Sequence, residues 1–127
     1  MSEALFDTSV LVDYLRGFQG ALPLVQGVKD GAMNGYVSVI TIAELFAGKD
    51  EESQVKRERL EELLSYFGKM EVNEEIAKTS GRFKRKHNIG ISDAIIAATT
   101  ASLGCRLLTQ NIRDFARIKE ITAEKPY

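Results

Sequence analysis

The chain has little of the chemistry on which many protein classes depend. Its 127 residues include one cysteine, one histidine and no tryptophan. The single cysteine, Cys105, excludes an intramolecular disulfide and a cysteine-rich zinc site. The single histidine, His87, excludes a multi-histidine metal site and disfavours a Ser-His-Asp triad. Any chemistry therefore has to be built mainly from carboxylates, hydroxyls, amides and basic side chains.

The sequence also lacks an excess of one charge and a long apolar run. Seventeen lysines and arginines stand against eighteen aspartates and glutamates, giving a formal net charge of -1, so bulk charge indicates no polyanionic partner. No apolar run approaches the roughly 18 residues of a membrane span, and the first residues do not resemble a signal peptide. We therefore expect a cytoplasmic protein with no membrane association, folded as a single domain over residues 1–127.

Short apolar strands alternate with helices along the chain. Strands are predicted over residues 4–6, 36–40, 69–72 and 105–108, with an edge strand over 118–121. Helices are predicted over 10–15, 22–28, 41–48, 50–66, 73–87 and 94–103, with a helical turn over 111–116. This alternation predicts an α/β fold with a mostly parallel sheet of four or five strands and helices on both faces. In such sheets, ligands bind at the carboxyl ends of the strands.

Acidic side chains follow these strands. Asp7 follows the first strand, Glu44 lies shortly after the second, and Asp114 follows the fourth, whereas Asp93 opens a very apolar helix. All four are expected at one rim of the sheet, where they would repel one another unless a cation joined them. Carboxylate oxygens prefer Mg²⁺ or Mn²⁺ to zinc. A pair of such ions is one way to catalyse in-line displacement at phosphorus.

Each acid also has a simpler interpretation as a helix-capping residue. Asp7 and Asn111 stand where helices begin, and Glu44 completes a Thr41-x-x-Glu44 capping box. Asp93 lies in a first helical turn, where a negative charge contributes about 0.3–1 kcal/mol. Capping is the better interpretation of any one acid alone, and the shared position of all four favours a metal site.

Four segments resemble the motifs of the PIN-domain ribonucleases, and among them the VapC-type toxins of prokaryotic toxin–antitoxin pairs. The segments span residues 5–13, 41–45, 91–98 and 107–115, and read LFDTSVLVD, TIAEL, ISDAIIAA and LLTQNIRDF. They occur in the family's order and at its spacing, and together they extend over nearly the whole chain. Each segment is weak evidence alone, but the set of four is specific.

The resemblance implies a PIN-like domain that cleaves RNA endonucleolytically, using water activated by Mg²⁺ or Mn²⁺. It makes Asp7 and Asp93 the principal metal ligands, with Glu44 contributing directly or through water. Many relatives carry Asp where this chain has Asn111, so we assign the fourth carboxylate to Asp114, and either one or two ions would be compatible with this set.

Neighbouring polar residues complete the expected site. The hydroxyls of Thr8, Ser9 and Thr109 are expected to hydrogen-bond the metal ligands, with Asn111 beside them. Asp13 also matches the first motif but lies about two turns into the helix, which indicates a surface or salt-bridge role.

The resemblance further implies an antitoxin partner and a homodimer. Apolar residues between Tyr14 and Val25 exceed the needs of two short helices, and they either pack in the core or hold an antitoxin peptide. The densest basic run is either a solvated helix end or a contact with the RNA backbone; it consists of Arg82, Lys84, Arg85 and Lys86. His87, at its end, is expected to be exposed and without an acidic partner. A second set of charges is expected to form a surface with many ion pairs; in it, Lys56, Arg57 and Arg59 alternate with Glu58, Glu61 and Glu62.

Other functions share parts of this pattern. A non-catalytic PIN-like module that binds RNA or a partner would tolerate Asn111. A receiver-like phosphoacceptor domain would share an acidic Mg²⁺ pocket, but Asp7 lacks an adjacent acid and Gln110 stands near where a lysine is needed. A nuclease for structured DNA would usually be longer.

Overall fold

Five strands form one fully parallel sheet in the computed structural model, which describes residues 2–127 except for the side chains of Asp50 and Glu51. Their order across the sheet is β3-β2-β1-β4-β5, so β1 lies at the centre. The strands are β1 (Ser2–Phe6), β2 (Met33–Ser38), β3 (Gly68–Met70), β4 (Arg106–Leu108) and β5 (Thr122–Glu124). The predicted α/β architecture is confirmed.

Helices connect successive strands. They are α1 (Thr8–Leu15), α2 (Leu22–Lys29), α3 (Val39–Phe46), α4 (Gln54–Ser65), α5 (Glu74–His87), α6 (Ile91–Leu103) and α7 (Ile112–Phe115), with a 3₁₀ turn over Lys49–Glu52. In the part of the chain that the structure describes, none of these helices has both the length and the apolar character needed to cross a bilayer.

The central strand divides the interior into two cores. Ala4 and Phe6 face one core, which is completed by residues of α1, α2 and α4, whereas Leu5 faces the other, completed by α5 and α6. This alternation follows from the two-residue period of a strand. The ring of Phe6 meets the ring of Phe67 edge-on at 5.0 Å. Helices therefore cover both faces of the sheet, as predicted.

The second strand ends earlier than predicted, which changes the start of α3. Ser38, rather than Thr41, is the N-cap residue: its Oγ accepts a hydrogen bond from the backbone N–H of Ile40 at 3.1 Å. Ile40 is therefore helical, and the expected capping box between Thr41 and Glu44 is not formed. Glu44 is left in the helix interior with its carboxylate available for other contacts.

Three further boundaries differ from the predictions. The helix expected over residues 50–66 is interrupted, because Ser53 caps α4 and leaves Val55 69% exposed. The helix predicted over 94–103 begins earlier, at Ile91, with Gly90 as the N-cap residue of α6. The edge strand lies at Thr122–Glu124 rather than at 118–121, because Ile118 is buried in the core beside α7. The helix predicted over 73–87 is present as α5, and Asn73 caps it by accepting a hydrogen bond from the backbone N–H of Ile76 at 2.8 Å.

Candidate active site

Asp7 stands at the carboxyl end of the central strand and is buried. Its backbone N–H donates to the carbonyl of Leu108 at 2.9 Å, which extends the pairing of β1 with β4 by one residue. Although Asp7 is the N-cap residue of α1, its side chain makes no capping hydrogen bond. Its Oδ2 instead accepts hydrogen bonds from Ser9 Oγ and Thr109 Oγ1, both at 2.8 Å. The carboxylate is therefore held by hydroxyls rather than used to cap the helix.

Thr109 joins the centre of the sheet to the loop that follows β4. Its backbone N–H donates to the carbonyl of Glu124 in β5 at 3.0 Å. Its hydroxyl, which donates to Asp7, accepts from the backbone N–H of Asn111 at 2.9 Å. The backbone N–H of Gln110 donates to Ser9 Oγ at 3.2 Å. These bonds fix the loop after β4 against the start of α1 and orient the Asp7 carboxylate.

Glu44 is tied to α1 by a second hydroxyl. Thr8 Oγ1 donates to Glu44 Oε1 at 2.7 Å and contacts Thr41 Oγ1 at 2.9 Å. Because Thr8 follows Asp7 directly, one helix start supports two of the predicted acids. The supporting role of Thr41, which is fully buried, was missed, because its spacing to Glu44 suggested a helix cap.

Asp93 lies in the first turn of α6, partly buried. Burial raises the pKa of its carboxyl above the ordinary value, and the negative charges of Asp7, Asp114 and Glu44 raise it further, in that order. The structure therefore brings all four predicted carboxylates within electrostatic range of one another. The α6 helix begins at Gly90 without a side-chain cap, and the predicted placement of the Asp93 charge in the first helical turn is confirmed.

Asn111 and Asp114 form a pair at the start of α7. Asn111 Nδ2 donates to Asp114 Oδ2 at 3.0 Å, and the Asn111 side chain makes no helix-capping hydrogen bond. The uncharged amide of Asn111 thus holds the carboxylate of Asp114, which was predicted to be the fourth acid of the site. Together with Thr109, it completes a chain of hydrogen bonds between Asp7 and Asp114.

The donor set suits a hard divalent cation, because every candidate ligand is a carboxylate oxygen. Among the described residues, however, no three histidine, cysteine or acidic side chains are arranged as a ready metal-binding group. The acids share one electrostatic environment without closing around a common point. Binding a shared ion would therefore require some of these side chains to rotate toward it, which is consistent with the mutual repulsion of like charges.

The basic run on α5 is partly engaged in contacts within the chain. Lys86 Nζ and His87 Nε2 lie 2.9 and 3.0 Å from the two carboxylate oxygens of Glu120. The hydrogen bond from Lys86 is the main cause that lowers the pKa of Glu120. Lys84 Nζ donates to the carbonyl of Ile89 at 3.4 Å. The expectation that His87 is exposed and has no acidic partner was wrong: its side chain is only 11% exposed, and its partner Glu120 is remote in sequence.

The two arginines of the basic run, Arg82 and Arg85, are exposed on α5.

Asp13, expected in a surface or salt-bridge role, instead accepts a hydrogen bond from the Tyr127 hydroxyl at 2.7 Å. The Tyr127 ring stacks at 5.4 Å from the ring of Phe18. Asp13 thus anchors the segment that follows β5 and is not part of the acidic rim.

A cavity of about 360 Å³ opens beside the acidic rim, and Glu44 lies in its wall. Its lining also includes four basic residues, Arg16, Lys49, Lys56 and Arg59. Sequence reasoning assigned Lys56 and Arg59 to a surface of ion pairs and did not single out the other two. The three-residue spacing of Lys56 and Arg59, which places them on one face of α4, was the signal that could have indicated the cavity.

Known proteins with similar sequences share this architecture. The family profile of the PIN domain matches residues 4–121. Ribonuclease VapC10 of Mycobacterium tuberculosis is 34% identical over 123 residues, which cover 92% of this chain and 89% of that protein. Ribonuclease VapC19 of the same organism is 31% identical over 131 residues, which cover 97% of this chain and 98% of that protein.

Solved structures agree with the sequence comparison. A chain of a toxin-antitoxin complex from Klebsiella pneumoniae is similar with a TM-score of 0.79 and 31% identity, covering 98% of both chains. A chain of the DNA-bound VapBC structure from Salmonella typhimurium has a TM-score of 0.82 at 22% identity, again over 98% of both chains, and it supports the fold alone. The profile match and the identities of the relatives show that this chain belongs to the PIN-domain family and, within it, to the VapC proteins.

Proposed function

We propose that this protein is a metal-dependent endoribonuclease and the toxin of a toxin–antitoxin pair. The observation that carries the proposal is the position of Asp7, Glu44, Asp93 and Asp114 at one rim of the sheet, where the charges of the other three raise the pKa of Asp93. Three of these acids are held by side chains whose hydroxyl or amide groups donate hydrogen bonds to them. A rim of this kind can hold divalent cations against an RNA phosphate. The ribonuclease names of the relatives support the same reaction.

The acids have distinct proposed roles. Asp7 and Asp93 would be the principal ligands of Mg²⁺ or Mn²⁺, and Glu44 and Asp114 would complete the set. When bound, such an ion supplies Lewis-acid stabilisation of a phosphate oxygen and promotes deprotonation of water. The Thr109 and Ser9 hydroxyls donate to Asp7 Oδ2, so they fix the orientation of that carboxylate toward the rim.

The charge balance of the rim also bears on substrate binding. Four clustered carboxylates repel RNA, and two divalent cations would offset their four negative charges. The exposed arginines Arg82 and Arg85 on α5 are proposed contacts of the RNA backbone, with Lys84 and Lys86 as weaker candidates because both are engaged within the chain. Cytoplasmic RNA is the proposed substrate.

An antitoxin is the proposed protein partner. The relatives in solved structures are described as toxin-antitoxin and VapBC complexes. Of the apolar residues between Tyr14 and Val25, Val25 is buried, whereas Phe18 and Leu22 are 54% and 42% exposed. This exposed pair is the apolar surface that we assign to partner contact. Homodimer formation is also part of the proposal, by analogy with the family.

The test of the catalytic proposal is cleavage of single-stranded RNA with Mg²⁺, Mn²⁺ or excess EDTA. We expect cleavage with either metal and none in EDTA. Asp7→Asn and Asp93→Asn should abolish cleavage without loss of the fold as judged by circular dichroism. Asp30→Asn is the matched control. Asp30 is exposed and precedes β2, so it lies toward the amino ends of the strands, at the rim opposite the acidic one. Full activity in EDTA, or in either rim variant, would refute the mechanism.

The test of the partner proposal is co-expression with the product of any small reading frame that adjoins this gene. We expect the two products to copurify and cleavage to be suppressed. Leu22→Ser should weaken that association while leaving RNA cleavage by the isolated protein intact. Copurification that is unchanged by this substitution would exclude the exposed pair Phe18 and Leu22 as the contact.

A further inference from the structure

The basic cavity beside Glu44 has features of a binding site that the acidic rim does not explain. It lies where α1, α3 and α4 meet. Arg16 lines it at the end of α1, Glu44 lines it from α3, and Lys56 and Arg59 line it from α4. We call it the basic groove and define it by these residues, Lys49 and the apolar residues Val12, Leu15, Leu45 and Leu60. At about 360 Å³, it falls within the size range of small-molecule sites.

The charge of the basic groove is opposite to that of the rim. Among the described residues that line it, Arg16, Lys49, Lys56 and Arg59 are cationic, and Glu44 alone is anionic. Four cations converging from the end of α1, the 3₁₀ turn and α4 create a positive potential that a low-dielectric apolar floor strengthens. The ligand that this arrangement fits is an anion with an apolar part, and a nucleotide of RNA has both.

Arg59 is held at the wall of the groove before any ligand arrives. Its Nη2 donates at 3.0 Å to the carbonyl of Leu15, the last residue of α1. That carbonyl has no partner within its own helix, so the bond satisfies it and fixes the guanidinium. A guanidinium has five N–H donors, and those that do not bond Leu15 remain to bind a phosphate.

The groove is continuous with the proposed active site through Glu44. One oxygen of this carboxylate accepts from Thr8 at 2.7 Å, and its charge raises the pKa of Asp93, while the same residue lines the groove. We propose that the basic groove binds the backbone phosphate of an RNA nucleotide next to the one cleaved at the acidic rim. This inference rests on the proposed nuclease function and adds the direction in which the substrate strand leaves the site.

The test separates binding from cleavage by working in the Asp93→Asn protein, which should hold RNA without cutting it. Binding of a fluorescein-labelled single-stranded RNA is measured by anisotropy over a range of salt concentrations. Adding Arg16→Gln and Lys56→Gln should weaken binding by about fivefold or more. It should also reduce the slope of log K against log salt by about 1.4, since each phosphate contact on a single strand contributes about 0.7.

The control removes two charges elsewhere, with Lys29→Gln and Lys78→Gln. Lys29 lies over the Tyr66 ring, and Lys78 pairs with Glu74 on α5, on the other face of the sheet. This pair should change the salt slope by much less than the groove pair. In protein with Asp93 intact, the groove pair should raise KM for RNA cleavage and leave kcat unchanged.

Two results would overturn the assignment. The first is an RNA affinity and salt slope that the groove substitutions leave unchanged. The second is tighter binding of polyglutamate than of RNA, lost with Arg16→Gln and Lys56→Gln, which would assign the groove to an acidic protein segment. Failure of the nuclease proposal is recognised separately, as absence of metal-dependent RNA cleavage by the unsubstituted protein.

Discussion

The hydroxyl of Thr109 donates to Oδ2 of Asp7 at 2.8 Å, joining two residues that are 102 positions apart in the sequence. The same hydroxyl accepts from the backbone of Asn111, so its proton is directed to the carboxylate. Thr109 is fully buried, and no solvent competes for the bond. The orientation of the Asp7 carboxylate therefore depends on the side chain of Thr109, in the loop that follows the neighbouring strand β4.

Removing this hydroxyl should impair the site without disturbing the core. Thr109→Val keeps the shape of the side chain but loses the donor, and we expect metal affinity and RNA cleavage to fall by about 10–100-fold. Thr109→Ser keeps the hydroxyl and should retain most of both. Isothermal titration with Mn²⁺ and a cleavage assay measure the two quantities. Equal losses in the serine and valine variants would indicate a packing role instead.

Asp93→Asn should stabilise the protein at neutral pH. Burial and three neighbouring acids raise the pKa of Asp93 in the folded state, so ionisation costs more there than in the unfolded chain. The resulting penalty is absent below the ordinary aspartate pKa of about 3.9 and grows as the pH rises through the raised folded value. Urea unfolding without metal should therefore show the variant to be more stable at pH 7.5 and equal to wild type near pH 3.5. A difference that is constant with pH would contradict this account.

Asn111→Asp tests the amide that holds Asp114. The substitution replaces a donor 3.0 Å from Asp114 Oδ2 with a second carboxylate, and the like charges should repel. Without metal, we expect a lower Tm at pH 7.5 and recovery in acid, with a larger rise in Tm on addition of Mg²⁺ than in wild type. Asn111→Ala loses the hydrogen bond without adding charge, so its loss of Tm should vary little with pH. Matching pH profiles for the two variants would refute the electrostatic explanation.

Substitution of Gly35 in β2 should lower the stability of the protein, because a side chain there has no space. A Cβ on Gly35 would lie 2.8 Å from Val28 Cγ2 and 2.9 Å from the Phe67 ring, closer than packed atoms tolerate. Gly35→Ala should therefore cost about 1–3 kcal/mol of the free energy of unfolding. Gly27, inside α2, has open space around its would-be Cβ among the described residues, and Gly27→Ala should stabilise by about 0.5–1 kcal/mol. Denaturant unfolding of both variants checks the contrast.

The sequence was sufficient to predict the parallel sheet and the position of Asp7, because apolar runs followed by acids mark the ends of buried strands. It did not place the start of α3, because Ser38 and Thr41 are both good caps and only the strand register decides between them. A continuous helix was expected over residues 50–66, but α4 begins only at Gln54 and leaves Val55 exposed. The receiver-like interpretation was wrong, since the chain belongs to the PIN-domain family.

Contacts between distant segments account for the rest. The partnership of His87 with Glu120 spans 33 residues, and neither residue has a local pattern that points to the other. The basic groove draws its lining from three helices and a 3₁₀ turn, so its cations are scattered in the sequence. The hydrogen bonds of Asp7 with Thr109 and of Thr8 with Glu44 likewise depend on tertiary packing, which residue spacing alone does not specify.

The strand order has a consequence for synthesis on the ribosome. The central strand β1 is synthesised long before its neighbour β4, because β2, β3 and helices α1 to α6 lie between them, and Thr109 in turn bonds to Glu124 in β5. A nascent chain that has not yet reached β5 therefore cannot hold Asp7 in its final setting. The acidic rim is complete only once β5 has left the ribosome and packed beside β4.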